Sequence, residues 1–284
     1  MITCHLRGGL GNQLFQIFTT IAYSMQRLQP FFFLNNYQLG NGENGSTIRY
    51  TYWDTFLNNL KIFLKNDIQI GTMLTVGETS FNYEKLPEHN LKKDIMLYGY
   101  FQSYLYFYEY KDTIFKLIKI EAKKRSIKQT VNYDFKNTIS LHFRLGDYKR
   151  YQDVHPILPV SYYSNALQYL LYETNTLTSI THVLYFCEDG DLNEVTEMIN
   201  ELKQLYPDLV FERAEPLLLD WEQLLLMSLC KYNVIANSTF SWWGAYFNEN
   251  IGKNICYPAV WFGPKAAHNT TDLFPKDWTK IDII

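Results

Sequence analysis

One segment near the start of the chain contains glycine, asparagine and arginine residues that could bind a phosphate, Arg7-Gly-Gly-Leu-Gly-Asn-Gln13. Glycines let a backbone approach a ligand closely, and the helix expected next would offer free N–H groups and a positive dipole. The segment nearly matches the dinucleotide fingerprint Gly-x-Gly-x-x-Gly, but Leu14 stands at the third glycine. No acidic residue follows at the distance needed to hold a ribose. An NAD site is therefore not favoured, and a plain tight turn is an equal alternative.

A second segment, His142-Phe-Arg-Leu-Gly-Asp147, lies at the carboxyl end of an expected strand. Ligands of open α/β sheets bind at such ends. The guanidinium of Arg144 can hold phosphate oxygens through two parallel hydrogen bonds. The alternative is a surface arginine that only pairs with Asp147. Because histidine, arginine and aspartate cluster at one strand end, the binding role is favoured.

A third segment, Glu188-Asp-Gly-Asp191, also follows an expected strand. Its two aspartates could hold a divalent metal beside a sugar nucleotide. In the other interpretation, Asp191 caps the next helix, and Asp189 accepts hydrogen bonds from a base such as guanine, whose ring N–H and amino group are donors. A three-residue pattern is weak evidence for a metal, so the second interpretation is preferred.

The fourth segment, Asn237-Ser-Thr-Phe-Ser-Trp-Trp-Gly244, joins an expected strand to a helix. Ser238 and Thr239 can cap that helix, and its open N–H groups can face a phosphate. A simple helix cap followed by two core tryptophans explains the same residues equally well.

Alternating strands and helices position the last three segments. We expect strands at 138–143, 182–186, 209–211, 233–236 and 254–257, with helices between them. This alternation is typical of a parallel, doubly wound α/β sheet. A further strand at 2–6 precedes the glycine loop and a helix, and a loop is expected over 41–46.

Composition limits the possible functions. The 284 residues allow one large domain or two moderate ones, and the formal net charge of −3 without a long basic run argues against a nucleic-acid partner. The four cysteines lie in apolar segments without paired spacing, which favours reduced thiols in a cytoplasmic protein. We expect no transmembrane segment and no signal peptide, because the apolar runs are short and the first residues lack the required pattern.

Taken in order, the segments resemble those of glycosyltransferase family 11, the alpha-1,2-fucosyltransferases. Residues 8–13 match the family's Gly-Gly-Leu-Gly-Asn-Gln loop, and residues 142–148 align with its His-x-Arg-Arg-Gly-Asp-Tyr element. Residues 158–163 match Leu-Pro-x-x-Tyr-Tyr, residues 186–189 align with Phe-Ser-Asp-Asp, and Asn-Ser-Thr-Phe-Ser-Trp-Trp is present in full. The resemblance covers nearly the whole chain, and the joint order of the motifs makes it specific.

The resemblance implies a two-lobed GT-B-type α/β fold with a GDP-sugar in the cleft. The lobe over 1–132 would lie on the acceptor side, and the Rossmann-like lobe over 133–284 would bind the donor. The implied reaction is inverting transfer of L-fucose from GDP-fucose to a glycan hydroxyl, in the first place the 2-OH of a terminal galactose, without a metal or another cofactor.

The same resemblance suggests roles for individual residues. Arg144 would hold the β-phosphate of the leaving GDP, and Asp147 is either the general base or a residue that orients Arg144. The residues expected to bind the donor are Gly9, Gly11, Asn12, His142, Asp189, Ser238, Thr239 and Phe240.

Two departures from the family pattern keep other functions open. Leu145 replaces the second arginine, and Cys187-Glu188 replaces Ser-Asp. The alternatives are a transferase with a different nucleotide sugar, which could depend on a metal held by Asp189 and Asp191, and an inactive nucleotide- or sugar-binding protein. Since side chains alternate along a strand, we expect Leu145 to point away from Arg144 and to pack against the helices of the sheet.

Overall fold

The computed structural model describes residues 1–40, 48–88, 93–173, 180–266 and 268–283. The loop expected over 41–46 lies outside the described residues. The chain divides into two compact units, Met1–Ala122 with Asn269–Pro275, and Lys123–His268 with Lys276–Ile284.

The first unit is built around a small parallel sheet and one long buried helix. Its elements are β1 (Ile2–Cys4), α1 (Leu10–Arg27), β2 (Phe33–Leu34), β3 (Gln38–Leu39), β4 (Arg49–Tyr50), β5 (Leu64–Lys65), β6 (Leu74–Gly77), β7 (Ile95–Tyr98) and α2 (Lys111–Leu117). The three-stranded sheet has the parallel order β1-β7-β6, β2 pairs in parallel with β5, and β3 pairs antiparallel with β4. The expected strand–loop–helix start of the chain is confirmed as β1 followed by α1.

The second unit contains the expected alternation of strands and helices. It begins within α3 (Ile120–Thr130) and continues through β8 (Thr138–His142), α4 (Val160–Gln168), β9 (His182–Phe186), α5 (Leu192–Leu205), β10 (Val210–Arg213), α6 (Asp220–Leu229), β11 (Tyr232–Val234), α7 (Thr239–Tyr246), β12 (Ile255–Pro258) and β13 (Thr279–Ile281). The five predicted strands are present with ends shifted by a residue or two, and β13 is an additional edge strand. The predicted α/β class with a parallel sheet is confirmed.

The strand order creates a switch point between β8 and β11. All six strands of the second unit are parallel in the order β10-β9-β8-β11-β12-β13. After β8, the chain adds β9 and β10 on one side of that strand. It then crosses to the other side of β8, where β11, β12 and β13 follow in order. In open α/β sheets, ligands bind beyond the carboxyl ends of the strands at such a point. The second and fourth sequence segments follow β8 and β11 directly.

Helices cover both faces of this sheet. Ile139, Leu141 and Val183 belong to one buried cluster with side chains of α4 and α5. On the other face, Asn233 of β11 donates a hydrogen bond to the carbonyl of Met227 in α6 (2.8 Å). Asn233 also donates to Ser140 Oγ of β8 (2.7 Å). This buried polar contact, satisfied on both sides, links the two strands that form the switch point.

The first crossing of the chain from one unit to the other lies after Ala122, whereas the sequence analysis expected a boundary at 132. Lys124 of α3 is buried and donates to the carbonyl of Phe247 (2.5 Å), which ties most of this helix to the second unit. Near the other end of the chain, the carbonyl of Asp272 accepts a hydrogen bond from Ser103 Oγ (2.6 Å), and this segment packs with the first unit. Both contacts join residues far apart in sequence, so local patterns do not reveal them.

None of the described helices has the length and apolar character needed to cross a bilayer. The four cysteines are free thiols, and Cys4, Cys230 and Cys256 are buried.

Candidate functional site

Arg144 is the central cation at the carboxyl end of β8. Its guanidinium donates to Asp147 Oδ1 and to Glu188 Oε1. The arginine side chain is 18% exposed, whereas the side chains of Asp147 and Glu188 are 53% and 58% exposed. The guanidinium also lies 5.1 Å from the centre of the Tyr148 ring. A planar cation held in this way can exchange surface carboxylates for phosphate oxygens, which it binds with the same geometry.

Leu145 points into the protein, as strand alternation predicts. It is 5% exposed and belongs to the same buried cluster as Phe143 and Tyr163. The rings of Phe143 and Tyr163 lie 4.3 Å apart in that cluster. The residue that stands at the family's second arginine is therefore part of the hydrophobic core.

His142 is a buried, neutral imidazole at the last position of β8. Burial, reinforced by the nearby charge of Arg144, lowers the pKa of His142 to about 3. Its ring centre lies 5.6 Å from that of Phe240. Its buried Nδ1 has no hydrogen-bond partner among the described residues. His142 thus places an uncharged ring from the end of β8 next to Phe240, in the first turn of α7.

Asp191 holds the turn that carries Asp147, which corrects one expectation. Its carboxylate accepts a hydrogen bond from Gly146 N (2.7 Å) and forms an ion pair with Lys149 (2.9 Å). The side chain does not cap α5. The backbone at Asp191 (φ −105°, ψ 1°) continues the preceding helical turn. Side-chain caps instead favour an extended backbone, from which the side chain can turn back to the first N–H groups. The aspartate therefore stabilises the turn at Gly146 rather than the helix.

Gly146 allows this turn to lie close to Glu188. Its φ of +37° falls in the left-handed region, and a Cβ atom there would lie 2.9 Å from Glu188 Oε2. A side chain at this position would displace the carboxylate that binds Arg144. The sequence motif marks the glycine, but Glu188 was not singled out as a site residue, although it stands next to Asp189.

The two aspartates of the third segment have different partners. Asp189 is 85% exposed and forms an ion pair with Arg213, at the end of β10. Asp191 is buried and contacts the exposed Lys149 and the turn at Gly146. A shared metal would require both carboxylates to leave cationic partners. Among the described residues, no three His, Cys, Asp or Glu side chains are grouped as potential metal ligands.

Ser238 caps α7 at the carboxyl end of β11. Its Oγ accepts a hydrogen bond from Phe240 N (3.3 Å), as predicted for this segment. Thr239 is the first residue of the helix. The two tryptophans that follow are fully buried, which confirms the interpretation that they belong to the core. The N-terminus of an eight-residue helix therefore lies at the switch point, where its positive dipole can favour an anion.

Tyr148 connects the β8 segment to the β11 segment. Its hydroxyl donates to the carbonyl of Asn237 (3.0 Å), and its ring stacks on His155 at 4.7 Å. Desolvation raises the pKa of Tyr148 to about 12, so the hydroxyl keeps its proton as a donor. Asn237 Nδ2 in turn donates to the carbonyl of Pro156 (2.9 Å). Tyr148 and His155 were not predicted as site residues, because the contact of Tyr148 with Asn237 joins residues that are distant in sequence.

The glycine loop belongs to the first unit. Gly8 has φ +80°, and a Cβ there would lie 2.6 Å from Asn12 Nδ2. Gly9 precedes α1, whereas Gly11 is buried inside the helix's first turn. Gln13 Nε2 closes the loop by donating to the carbonyl of Gly8 (3.0 Å).

The side chain of Asn12 is fixed within that unit. Its Oδ1 accepts a hydrogen bond from Gln102 Nε2 (3.0 Å). Gln16 Nε2 donates to the carbonyl of Asn12 (3.0 Å) and to that of Arg7 (2.9 Å). These side-chain amides make the loop more than a plain turn, and its part in donor binding remains a prediction.

The whole chain is similar to known glycosyltransferases. The sequence profile of Glycosyl transferase family 11 matches residues 1–282. An alpha-1,2-colitosyltransferase of Escherichia coli is 28% identical over 99% of both chains. The O-antigen biosynthesis glycosyltransferase WbnK of Escherichia coli is 29% identical over 99% of this chain and 100% of that one.

A solved structure extends the comparison to coordinates. The structure of an Arabidopsis thaliana FUT1 mutant in complex with GDP aligns over 96% of this chain and 74% of that one, with a TM-score of 0.47 and 13% identity. The family assignment does not depend on this likeness, because the profile spans almost every residue. The chain belongs to glycosyl transferase family 11 and is a glycosyltransferase.

Proposed function

We propose that the protein transfers L-fucose from GDP-fucose to a hydroxyl of a glycan, with inversion at the anomeric carbon and without a metal ion. The observation that carries this proposal is the position of Arg144 just beyond β8 at the switch point between β8 and β11, where the ring of His142, two residues earlier, lies 5.6 Å from that of Phe240 in the first turn of α7. A guanidinium and a helix N-terminus supply positive charge at one place. They suit the diphosphate of a nucleotide sugar.

The leaving group sets the main task of the site. As the bond between fucose and GDP breaks, negative charge grows on the β-phosphate, and donors fixed in advance stabilise that charge most effectively. Arg144 would exchange Glu188 for the phosphate and keep Asp147 as its second partner. The ion pair between Asp147 and Arg144 supports the orienting role for Asp147 over the role of general base.

The acceptor supplies the nucleophile. Its hydroxyl oxygen would attack the anomeric carbon on the face opposite to GDP, and its proton would pass to a base or to water. We propose the 2-OH of a terminal galactose as the first acceptor to test, in lactose and N-acetyllactosamine.

A second donor candidate is GDP-colitose, because one relative that aligns over its full length is a colitosyltransferase. Colitose is fucose without the hydroxyl at C3. A site that hydrogen-bonds this hydroxyl rejects the deoxy sugar strongly, whereas an apolar site discriminates weakly. The relative turnover of the two donors therefore reports the chemistry of the pocket around C3.

A donor panel tests the proposal. GDP-fucose, GDP-colitose, GDP-mannose, UDP-galactose and ADP-glucose are each incubated with the full chain, with and without the two galactosides, and release of nucleoside diphosphate is measured. We expect turnover with GDP-fucose, and stabilisation against heat by GDP of about 2.7 kcal/mol at a hundredfold excess over Kd. Preference for a UDP- or ADP-sugar contradicts the donor assignment. Tight GDP binding without turnover of any donor indicates a binding protein.

Asp189→Ala tests recognition of guanine. An exposed carboxylate can accept two hydrogen bonds from guanine, and hydrogen bonds to charged groups are worth about 1.5–3 kcal/mol each. We expect this variant to lose most of the preference for GDP over ADP in calorimetric titrations. Glu201→Ala, which removes an exposed carboxylate from α5, is the matched control. An unchanged preference in Asp189→Ala rules out the role.

A further inference from the structure

We propose that Arg213 is a specificity-determining residue that positions Asp189 to read guanine. This inference rests on the proposed use of a GDP-sugar. Arg213 is the last residue of β10 and lies in register with Tyr185 of β9. Asp189 stands in the turn that follows β9. Parallel pairing of the two strands thus brings the guanidinium and the carboxylate to the same edge of the sheet.

The ion pair fixes one oxygen of Asp189 and leaves the other available. Arg213 Nη2 donates to Asp189 Oδ1. No other described group donates a hydrogen bond to this carboxylate in the structure, so Oδ2 is open on a side chain that is 85% exposed. Guanine presents two adjacent donors, its ring N–H and its amino group. They need two acceptor positions held at a fixed spacing, and the carboxylate supplies both, because Oδ1 keeps a second lone pair beside the one that Arg213 uses.

A purely structural role explains this pair poorly. Exposed ion pairs contribute little to folding stability, because solvent screens the charges and two long side chains lose freedom. The nearby pair of Lys149 and Asp191 is different, since Asp191 is buried and also binds the backbone of Gly146. Asp189 has no such second contact. Ordering of Asp189 by Arg213 strengthens ligand binding instead, because the side chain loses its conformational entropy before the ligand binds.

The test compares two substitutions of Arg213 in the full chain. Arg213→Met keeps an unbranched apolar stem and removes the cation, whereas Arg213→Lys keeps a cation that can still bond Oδ1. GDP, IDP and ADP are titrated into each variant by calorimetry. IDP lacks the 2-amino group of guanine, so the ratio of GDP to IDP affinity reports the second hydrogen bond. Thermal unfolding of each variant confirms that it is folded.

We expect Arg213→Met to weaken GDP binding by about tenfold and to leave ADP binding unchanged, with Arg213→Lys in between. The ratio of GDP to IDP affinity should fall in parallel. In an Asp189→Ala background, Arg213→Met should cause no further loss of the GDP-over-ADP preference, since the two residues act as one unit.

Three results overturn the inference and leave the donor proposal standing. An unchanged GDP-over-ADP ratio in Arg213→Met means that Asp189 does not need its partner. Equal weakening of GDP and ADP means that Arg213 acts only as a cation for the diphosphate. Additive effects of the two substitutions mean that the residues act separately. A wild-type protein without any preference for GDP refutes the donor proposal itself, and the inference with it.

Discussion

Arg144 and Leu145 are neighbours in sequence, and we predict that they have separate roles in turnover and in stability. The Arg144 side chain faces two surface carboxylates, whereas Leu145 is 5% exposed inside the main cluster of the second unit. Substituting each residue in turn therefore probes two different environments joined by one peptide bond. The variants Arg144→Lys and Leu145→Ala serve as controls for one another.

The expected cost of Leu145→Ala follows from its burial. Removing a buried leucine side chain costs about 2–5 kcal/mol, since transfer energy is lost and a cavity remains. For a folding unit of this size, each kcal/mol lowers Tm by about 2–4 °C. We therefore expect a decrease in Tm of about 4–20 °C. Turnover measured well below that temperature should stay within about twofold of wild type, because no polar contact of Arg144 is removed.

The expected cost of Arg144→Lys follows from hydrogen-bond geometry. Lysine keeps the charge but cannot make the two parallel bonds of a guanidinium, and Asp147 and Glu188 would compete for its ammonium group. Loss of one donor to a developing oxyanion commonly lowers turnover by about 10²–10³-fold. Stability should change by less than about 1 kcal/mol, because both acidic partners are more than half exposed.

Both variants are assayed in the same way. GDP release from GDP-fucose is measured at saturating donor, and thermal unfolding is followed in the same buffer without ligand. If Leu145→Ala keeps the wild-type Tm but loses as much turnover as Arg144→Lys, then Leu145 belongs to the donor pocket and the assignment to the core is wrong. Full turnover by Arg144→Lys would show that bidentate binding of phosphate is not needed.

Three further predictions follow from the same site. Turnover of GDP-fucose should persist in excess EDTA after dialysis, because Arg144 and α7 supply the positive charge, and activity that returns only with manganese would contradict this. Burial holds the pKa of His142 near 3, against about 6.5 when unfolded, so its contribution to stability is complete above pH 6.5 and declines as pH falls. Between pH 6.5 and about pH 3 each pH unit costs about 1.4 kcal/mol, and in this range the free energy of unfolding of His142→Gln should change less steeply with pH by this amount. Gly146→Ala should lower turnover about 10- to 100-fold, because a side chain at φ +37° strains the turn that carries Asp147, the partner that Arg144 keeps, whereas Gly190→Ala, with open space around its Cβ position, should change it little.

Much of the second unit could be predicted from the sequence, since its signals are local. Apolar runs of strand length alternate with helical periodicity, so the α/β class and five strands were predicted within a residue or two. The cap at Ser238 was also predictable, because it depends on a hydrogen bond to a residue only two positions away. The strand β13 was missed, as three residues at a sheet edge carry little pattern. The cap assigned to Asp191 was wrong because a distant backbone group competes for its carboxylate.

The sequence by itself determined the residue types of the site, the strand ends that carry them and the family to which the chain belongs. The tertiary structure decided which of these residues are partners. Glu188 meets Arg144, and Arg213 meets Asp189, because β9 pairs with both β8 and β10. Sequence order alone does not specify which parallel strands become neighbours. Long crossover connections permit several orders, and the choice depends on how the helices and strands of the whole unit pack together.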